Sequence, residues 1–135
     1  RLCYENEGRD NNTANIIKCM KNPKVRFISH PDDDNTPLDY ERLVQAAKKC
    51  HVALEVNNSS LSKKGYRLNC YKNYEIMINL CQQYQVPIIV NSDAHDPGWV
   101  GKFELALELL DKLNVNEDII LNNNIKKLKE YIGVL

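Results

Sequence analysis

Three residues of this chain have side chains that commonly ligate metals and stand just past short apolar runs: His30 after "VRFIS", and Asp93 and His95 after "VPIIVNS". Imidazole nitrogen and carboxylate oxygen are ordinary ligands for zinc, iron and manganese. A lone His beside a proline is often a turn residue, and a lone Asp often caps a turn, so each alone says little. Between them, "ALEVNNSS" sets Glu55 and the amides Asn57 and Asn58 at the end of another apolar run. Arg67, in the loop that follows with Lys63 and Lys64, has a two-pronged guanidinium suited to an anionic substrate, although plain surface charge explains it equally well. The run Asp32-Asp33-Asp34 offers a further cation site, with a solvated loop as the more ordinary reading. Trp99 either walls a pocket or, the reading preferred here, covers the core.

These positions are coherent if the runs are parallel strands, because α/β folds build their sites at the carboxyl ends of strands. The pattern alternates. A helix near Thr13 to Lys21 is stopped by Asn22-Pro23. A strand covers Val25 to His30. "TPLD" reads as a capping box with Thr36 as N-cap and Pro37 at the first helical position. Leu43, Ala47 and Cys50 mark the face of the helix that follows. A strand spans Val52 to Asn57, a polar loop follows, and a helix runs from about Tyr71 to Tyr84 with Tyr74, Met77, Ile78 and Cys81 inward. Val86 to Asn91 is the third strand. Phe103, Ala106, Leu107, Leu110 and Leu113 stripe the next helix. "DIILN" is a fourth strand, and Ile125, Leu128, Ile132 and Leu135 line a closing helix. About four parallel strands alternating with helices, joined by right-handed crossovers, is the expected α/β architecture. His51 lies at the amino end of a strand and is expected on the opposite rim, outside the site.

Composition narrows the classes. The chain has 135 residues with 18 basic and 18 acidic, hence no net charge and no basic stripe for nucleic acid. No apolar run approaches the ~18 residues of a membrane span, and no signal peptide is visible. No glycine-rich phosphate loop follows any strand. Five cysteines (Cys3, Cys19, Cys50, Cys70 and Cys81) lack CxxC spacing and read as free thiols in a reducing cytoplasm. The chain opens on Arg1 and a polar, patternless dozen residues, as a piece of something longer would.

"ISHPDD", "ALEVNNSS" and "VNSDAH", in this order and at these intervals, resemble the polymerase and histidinol phosphatase (PHP) family of metal-dependent phosphoesterases, and the small bacterial PHP-type phosphatases within it. The resemblance extends from about Asn12 onward, "NTANIIKCMKNP" and "GKFELALELLDKLN" included. It implies a distorted (β/α)7 TIM-like barrel whose site holds up to three divalent metals, zinc foremost, with manganese or iron as alternatives. It assigns metal binding to His30, Asp93 and His95, the latter two acting catalytically through the metal. It places Asn57, Asn58 and Arg67 beside a phosphorylated small-molecule substrate. The family's opening His-x-His motif is absent. Residues 1–135 therefore match the C-terminal portion of a single PHP domain, with the chain starting near Leu2-Cys3, just past the missing ligands. A fragment of that kind is expected to be a poor enzyme alone, and to self-associate or need the N-terminal half. Two other readings stand beside it: a non-catalytic half-barrel that pairs with a partner chain, and the PHP module of a DNA polymerase or nuclease.

Overall fold

A computed structural model describes residues 6–62 and 67–134. The expectations that involve Leu2, Cys3, Lys63, Lys64 and Leu135 fall outside the described residues.

Three parallel strands make the sheet, in the order β1 (Phe27–Ile28), β2 (Ala53–Asn57), β3 (Ile88–Asn91). The register sets Ile28 beside Leu54, Leu54 beside Ile88, and Asn57 beside Asn91. All of β2 is buried, as a central parallel strand should be. Side chains alternate across a strand. Leu54, Val56, Ile88 and Val90 join one apolar core with Leu43, Tyr74, Met77, Ile78 and Leu109. Glu55, Asn57 and Asn91 alternate with them, so the sheet's other face carries polar groups.

The expected strand Val25 to His30 is reduced to two residues, and just beyond it the backbone turns left-handed at His30 (φ 53°). The expected fourth strand is a single parallel bridge between Ile88 and Ile120, after a 3-10 turn over Glu117–Ile119. Its cause is local. Leu121 N–H still donates to Ile88 C=O at 2.9 Å. One residue on, the Asn122 side chain replaces the main chain: its Oδ1 accepts from Val90 N–H (3.0 Å) and its Nδ2 donates to Val90 C=O (2.6 Å). An amide side chain has the donor and acceptor of a peptide group, and here it ends the ladder.

Helix α1 (Arg9–Met20) starts earlier than its apolar pattern suggests. Its first turn is polar but tied down, since Thr13 Oγ1 accepts from Asp39 N–H (2.9 Å) and Asn12 Nδ2 donates to Pro37 C=O (3.2 Å). Helix α2 (Tyr40–Cys50) is capped by Asp39, whose Oδ1 accepts from Arg42 N–H at 3.1 Å, and not by Thr36. Thr36 Oγ1 instead donates to Asp33 C=O within the preceding loop. The polar loop expected after β2 begins with a short helix, α3 (Asn58–Ser62), whose Ser60 N–H is bound by Asn57 Oδ1 at 3.0 Å. Helix α4 (Cys70–Tyr84) buries Tyr74, Met77, Ile78 and Cys81 as expected and packs on α2. Helix α5 (Glu104–Lys112) buries Ala106, Leu109 and Leu110, while Leu107, placed in the stripe from sequence, faces out. Helix α6 (Ile125–Ile132) buries no residue fully, and Ile125 is exposed. Among the described residues Cys19, Cys50, Cys70 and Cys81 are free thiols, and no helix is long and apolar enough to cross a membrane.

Candidate functional site

The carboxyl ends of the strands gather His30, Glu55, Asn57, Asn91 and Asp93 on one rim. The organising group is Glu55. This nearly buried carboxylate of β2 accepts His30 N–H on Oε2 (2.8 Å) and the Asn91 amide on Oε1 (2.8 Å). One central side chain thus holds the ends of both outer strands. Just beyond, His30 and Asp93 each adopt the left-handed region, with φ 53° at both. His and Asp are tolerated there better than branched residues are. The two turns bring His30 Nε2 to 3.7 Å from Asp93 Oδ2.

Both nitrogens of the His30 ring face oxygen atoms. His30 Nδ1 has only oxygens near it: Ser60 Oγ at 3.4 Å, Asp32 Oδ1 at 3.8 Å and Glu55 Oε2 at 3.9 Å. A proton on Nδ1 suits that surrounding and leaves the Nε2 lone pair toward Asp93, the arrangement that orients metal-ligating histidines. His95 Nδ1 lies 2.8 Å from Asp93 C=O, which can only accept, so Nδ1 carries the hydrogen and Nε2 of the neutral ring is free. The His95 ring is largely exposed, with Nδ1 4.0 Å from Asp93 Oδ1.

Asp32 lies beneath His30. It is fully buried, and neither carboxylate oxygen has a hydrogen-bond partner. Burial raises its carboxyl above the ordinary carboxylate range, against the opposing pull of the Arg67 guanidinium 3.9 Å away.

Two ligands on one ion at ~2.0–2.2 Å stand roughly 3.3 Å apart in a tetrahedral arrangement. His30 Nε2 and Asp93 Oδ2 are within a few tenths of an ångström of that separation and fit a divalent ion as two of its ligands. His95 would need to swing its Nε2 inward to be a third. Among the described residues no set of three or more His, Cys, Asp or Glu side chains converges as a metal site.

The other candidates divide. Asn57 is buried with its Oδ1 on Ser60 N–H, and its Nδ2 has no partner. Asn58 is buried too, and its Oδ1 accepts Ala106 N–H at 2.9 Å, locking α3 onto α5. Arg67 turns NH1 toward the acidic run, 3.5 Å from Asp33 and 3.9 Å from Asp32. Asp33 and Asp34 bind protein partners. Asp33 Oδ1 accepts from Leu68 N–H and Asn35 N–H, while Asp34 accepts from Asn69 and Asn73. They staple the segment before α4 to the loop after β1. His51 stands at the opposite end of β2, closing α2 in the left-handed conformation (φ 56°), with its ring edge-on to Tyr131.

A cleft of about 290 Å³ opens beside Asp93 and His95. Ser59, Ser62, Ser92, Trp99 and Lys102 line it. Trp99 is 57% exposed and so walls this cleft instead of covering the core. Lys102 Nζ sits 4.7 Å from the centre of its ring. Sequence reasoning gave no role to Glu55 or Lys102. A single carboxylate inside "ALEVN" was the available signal for the first; nothing local marked the second.

No family model matches the chain. Over 134 residues it is 37% identical to a protein of Thermoanaerobacter pseudethanolicus named "Probable phosphatase", covering 97% of this chain and 53% of that protein. It is 36% identical over 133 residues to one of the same description from Caldanaerobacter subterraneus, covering 96% and 51%. A third, from Clostridium botulinum, is 34% identical over 132 residues, covering 97% and 53%. The chain spans about half the length of the curated relatives it matches.

Proposed function

We propose that the chain is the C-terminal portion of a metal-dependent phosphatase of PHP type, acting on a phosphorylated small molecule. The observation that carries this reading is the His30–Asp93 pair, 3.7 Å apart at the carboxyl rim of a parallel sheet. The names of its relatives, probable phosphatases, support the reaction class. The sequence motifs around both residues supply the PHP assignment.

In this proposal His30 Nε2 and Asp93 Oδ2 hold a divalent ion, zinc in the first instance, and His95 joins them by turning inward. Such an ion polarises a phosphoryl oxygen and brings the pKa of bound water toward neutrality. The residues of this chain do the positioning. Glu55 holds the His30 backbone in place, and the oxygens around His30 Nδ1 keep its proton there. Asn57 and Asn58 shape the substrate side of the rim through α3. Arg67 balances the buried charge of Asp32 and its neighbour. The remaining ligands and the rest of the barrel wall come from the other half of the longer protein.

Metal analysis and hydrolysis of p-nitrophenyl phosphate test this on the full-length protein and on the chain alone. Full-length protein carrying zinc or manganese, active and silenced by a chelator, is the expected result. The chain alone should bind zinc weakly and turn over little. Full-length activity that survives complete metal removal would end the metal-dependent reading.

A further inference from the structure

The cleft beside Asp93 has uneven chemistry. Ser59, Ser62 and Ser92 line it together with Asp93 and His95, the Ser62 hydroxyl donating to Ser59 C=O at 2.8 Å. Among the described lining residues the cation is Lys102, over the face of an exposed indole. An ammonium over an aromatic face is attracted by the electron-rich face of the ring. That attraction limits where the flexible Lys102 stem carries its charge and keeps it against the cleft wall. A volume of about 290 Å³ is at the lower end of the ~300–1,000 Å³ of small-molecule sites. The space suits a compact group.

We infer that this cleft seats the organic portion of a phosphomonoester that carries a second anionic group, with Trp99 as its wall and Lys102 as the specificity-determining contact for that second anion. The inference rests on the phosphatase reading for which end of the ligand meets the rim. The reacting phosphate lies by Asp93, the serines face the intervening carbons and hydroxyls, and the second anion reaches Lys102. Lysine acts as a point charge without the fork of arginine, so a carboxylate or a second phosphate serves equally.

Trp99 is the only tryptophan in the chain, so intrinsic fluorescence reports this cleft without any need for turnover. The zinc-loaded full-length protein, with any tryptophan outside this chain replaced by phenylalanine, is titrated with two pairs of ligands: 3-phosphoglycerate against glycerol 3-phosphate, and glucose 1,6-bisphosphate against glucose 6-phosphate. The first pair tests a carboxylate and the second a phosphate. The expected result is a saturable signal with tighter binding of at least one ligand bearing the extra anion. Lys102→Met should cut that preference about fivefold, near the upper end for an exposed ion pair. The same change at Lys126, exposed on α6, should leave the preference intact. No response to any ligand, or a preference that survives Lys102→Met, overturns the inference. Fluorescence binding without hydrolysis by the full-length protein would remove the phosphatase reading and keep the anion site. Hydrolysis without any Trp99 response would do the reverse.

Discussion

His30 and Asp93 share one backbone conformation, φ 53° at each, and through it their Nε2 and Oδ2 atoms come within 3.7 Å across the end of β2. The strand between them contributes no ligand to the pair. It contributes Glu55, which fixes the backbone of one and the neighbour of the other. Both turns leave a non-glycine residue in a region that costs such residues roughly 1–3 kcal/mol, a pattern that clusters at functional sites.

If the pair holds metal, the two residues should fail together. In the full-length protein, Asp93→Ala and His30→Ala should each lower kcat/KM for p-nitrophenyl phosphate more than ~100-fold, beyond what residues that only support a ligand produce. His51→Ala, at the other end of β2, should stay within a few-fold. Equal losses at all three, with circular dichroism showing unfolding, would mean that folding and not the site had been lost.

Glu55 should matter to stability as well as to the site. Glu55→Leu leaves His30 N–H and the Asn91 amide without their acceptor on a buried face. Hydrogen bonds to charged groups contribute ~1.5–3 kcal/mol each, so a loss of about 3–6 kcal/mol in urea unfolding is expected for the two. Glu55→Gln retains one carbonyl oxygen and should lose less. A Leu variant as stable as the parent contradicts the described role.

The side-chain ending of the ladder makes its own test. Asn122→Ala removes both bonds to Val90 and should cost about 1–3 kcal/mol. Hydrogen exchange should rise at Val90 N–H, the amide that loses its acceptor, more than at Leu54 N–H, which is bound to Pro87 C=O at 3.2 Å. Unchanged protection at Val90 would show that water or another group replaces Asn122 without penalty.

Burial in the α4 core raises the Cys81 thiol from its ordinary 9.0 to about 12. Below pH 9 both folded and unfolded chains keep this proton. From there to the folded value, the unfolded chain loses it and the folded chain keeps it. Unfolding therefore becomes easier with rising pH, by up to ~1.4 kcal/mol per pH unit from this group. At pH 8.5 iodoacetamide should label the half-buried Cys19 and Cys50 well before Cys81 in the native protein, with all three labelled in urea. Mass spectrometry of the peptides reads this directly, and early native labelling of Cys81 would show its packing to be looser than described.

Much of the fold was legible because its strongest elements are decided locally. "VALEVN" and "VPIIVN" are short apolar runs, and they form β2 and β3. Helix α4 carries its apolar face at helical spacing, and the buried residues follow it. What was misread depended on partners distant in sequence. Thr36 and Asp39 both look like caps, and the choice of Asp39 goes with its N–H bonding Thr13 of α1. Helix α3 has no apolar period, and an amide from the preceding strand starts it. The fourth strand fails because of one asparagine. The residue types of the site were readable at strand ends; the bond from Glu55 to His30 needed the register of neighbouring strands. The acidic run read as a solvated loop, with a cation site as the lesser reading, and its bonds to Asn69 and Asn73, thirty-five to forty residues later, were not legible from sequence.

The amide of Asn122 also gives the molecule a chemical lifetime. A peptide group in a ladder is inert on any practical storage time, but an exposed asparagine is among the thermolabile residues. Loss of ammonia converts Asn122 to a carboxylate. The Nδ2 that donates to Val90 C=O at 2.6 Å then becomes an oxygen, and two acceptors face each other. The bond from Val90 N–H survives, while its companion turns repulsive. Ageing by a single deamidation would thus loosen the sheet edge that leads to Asp93, with no residue of the rim itself altered.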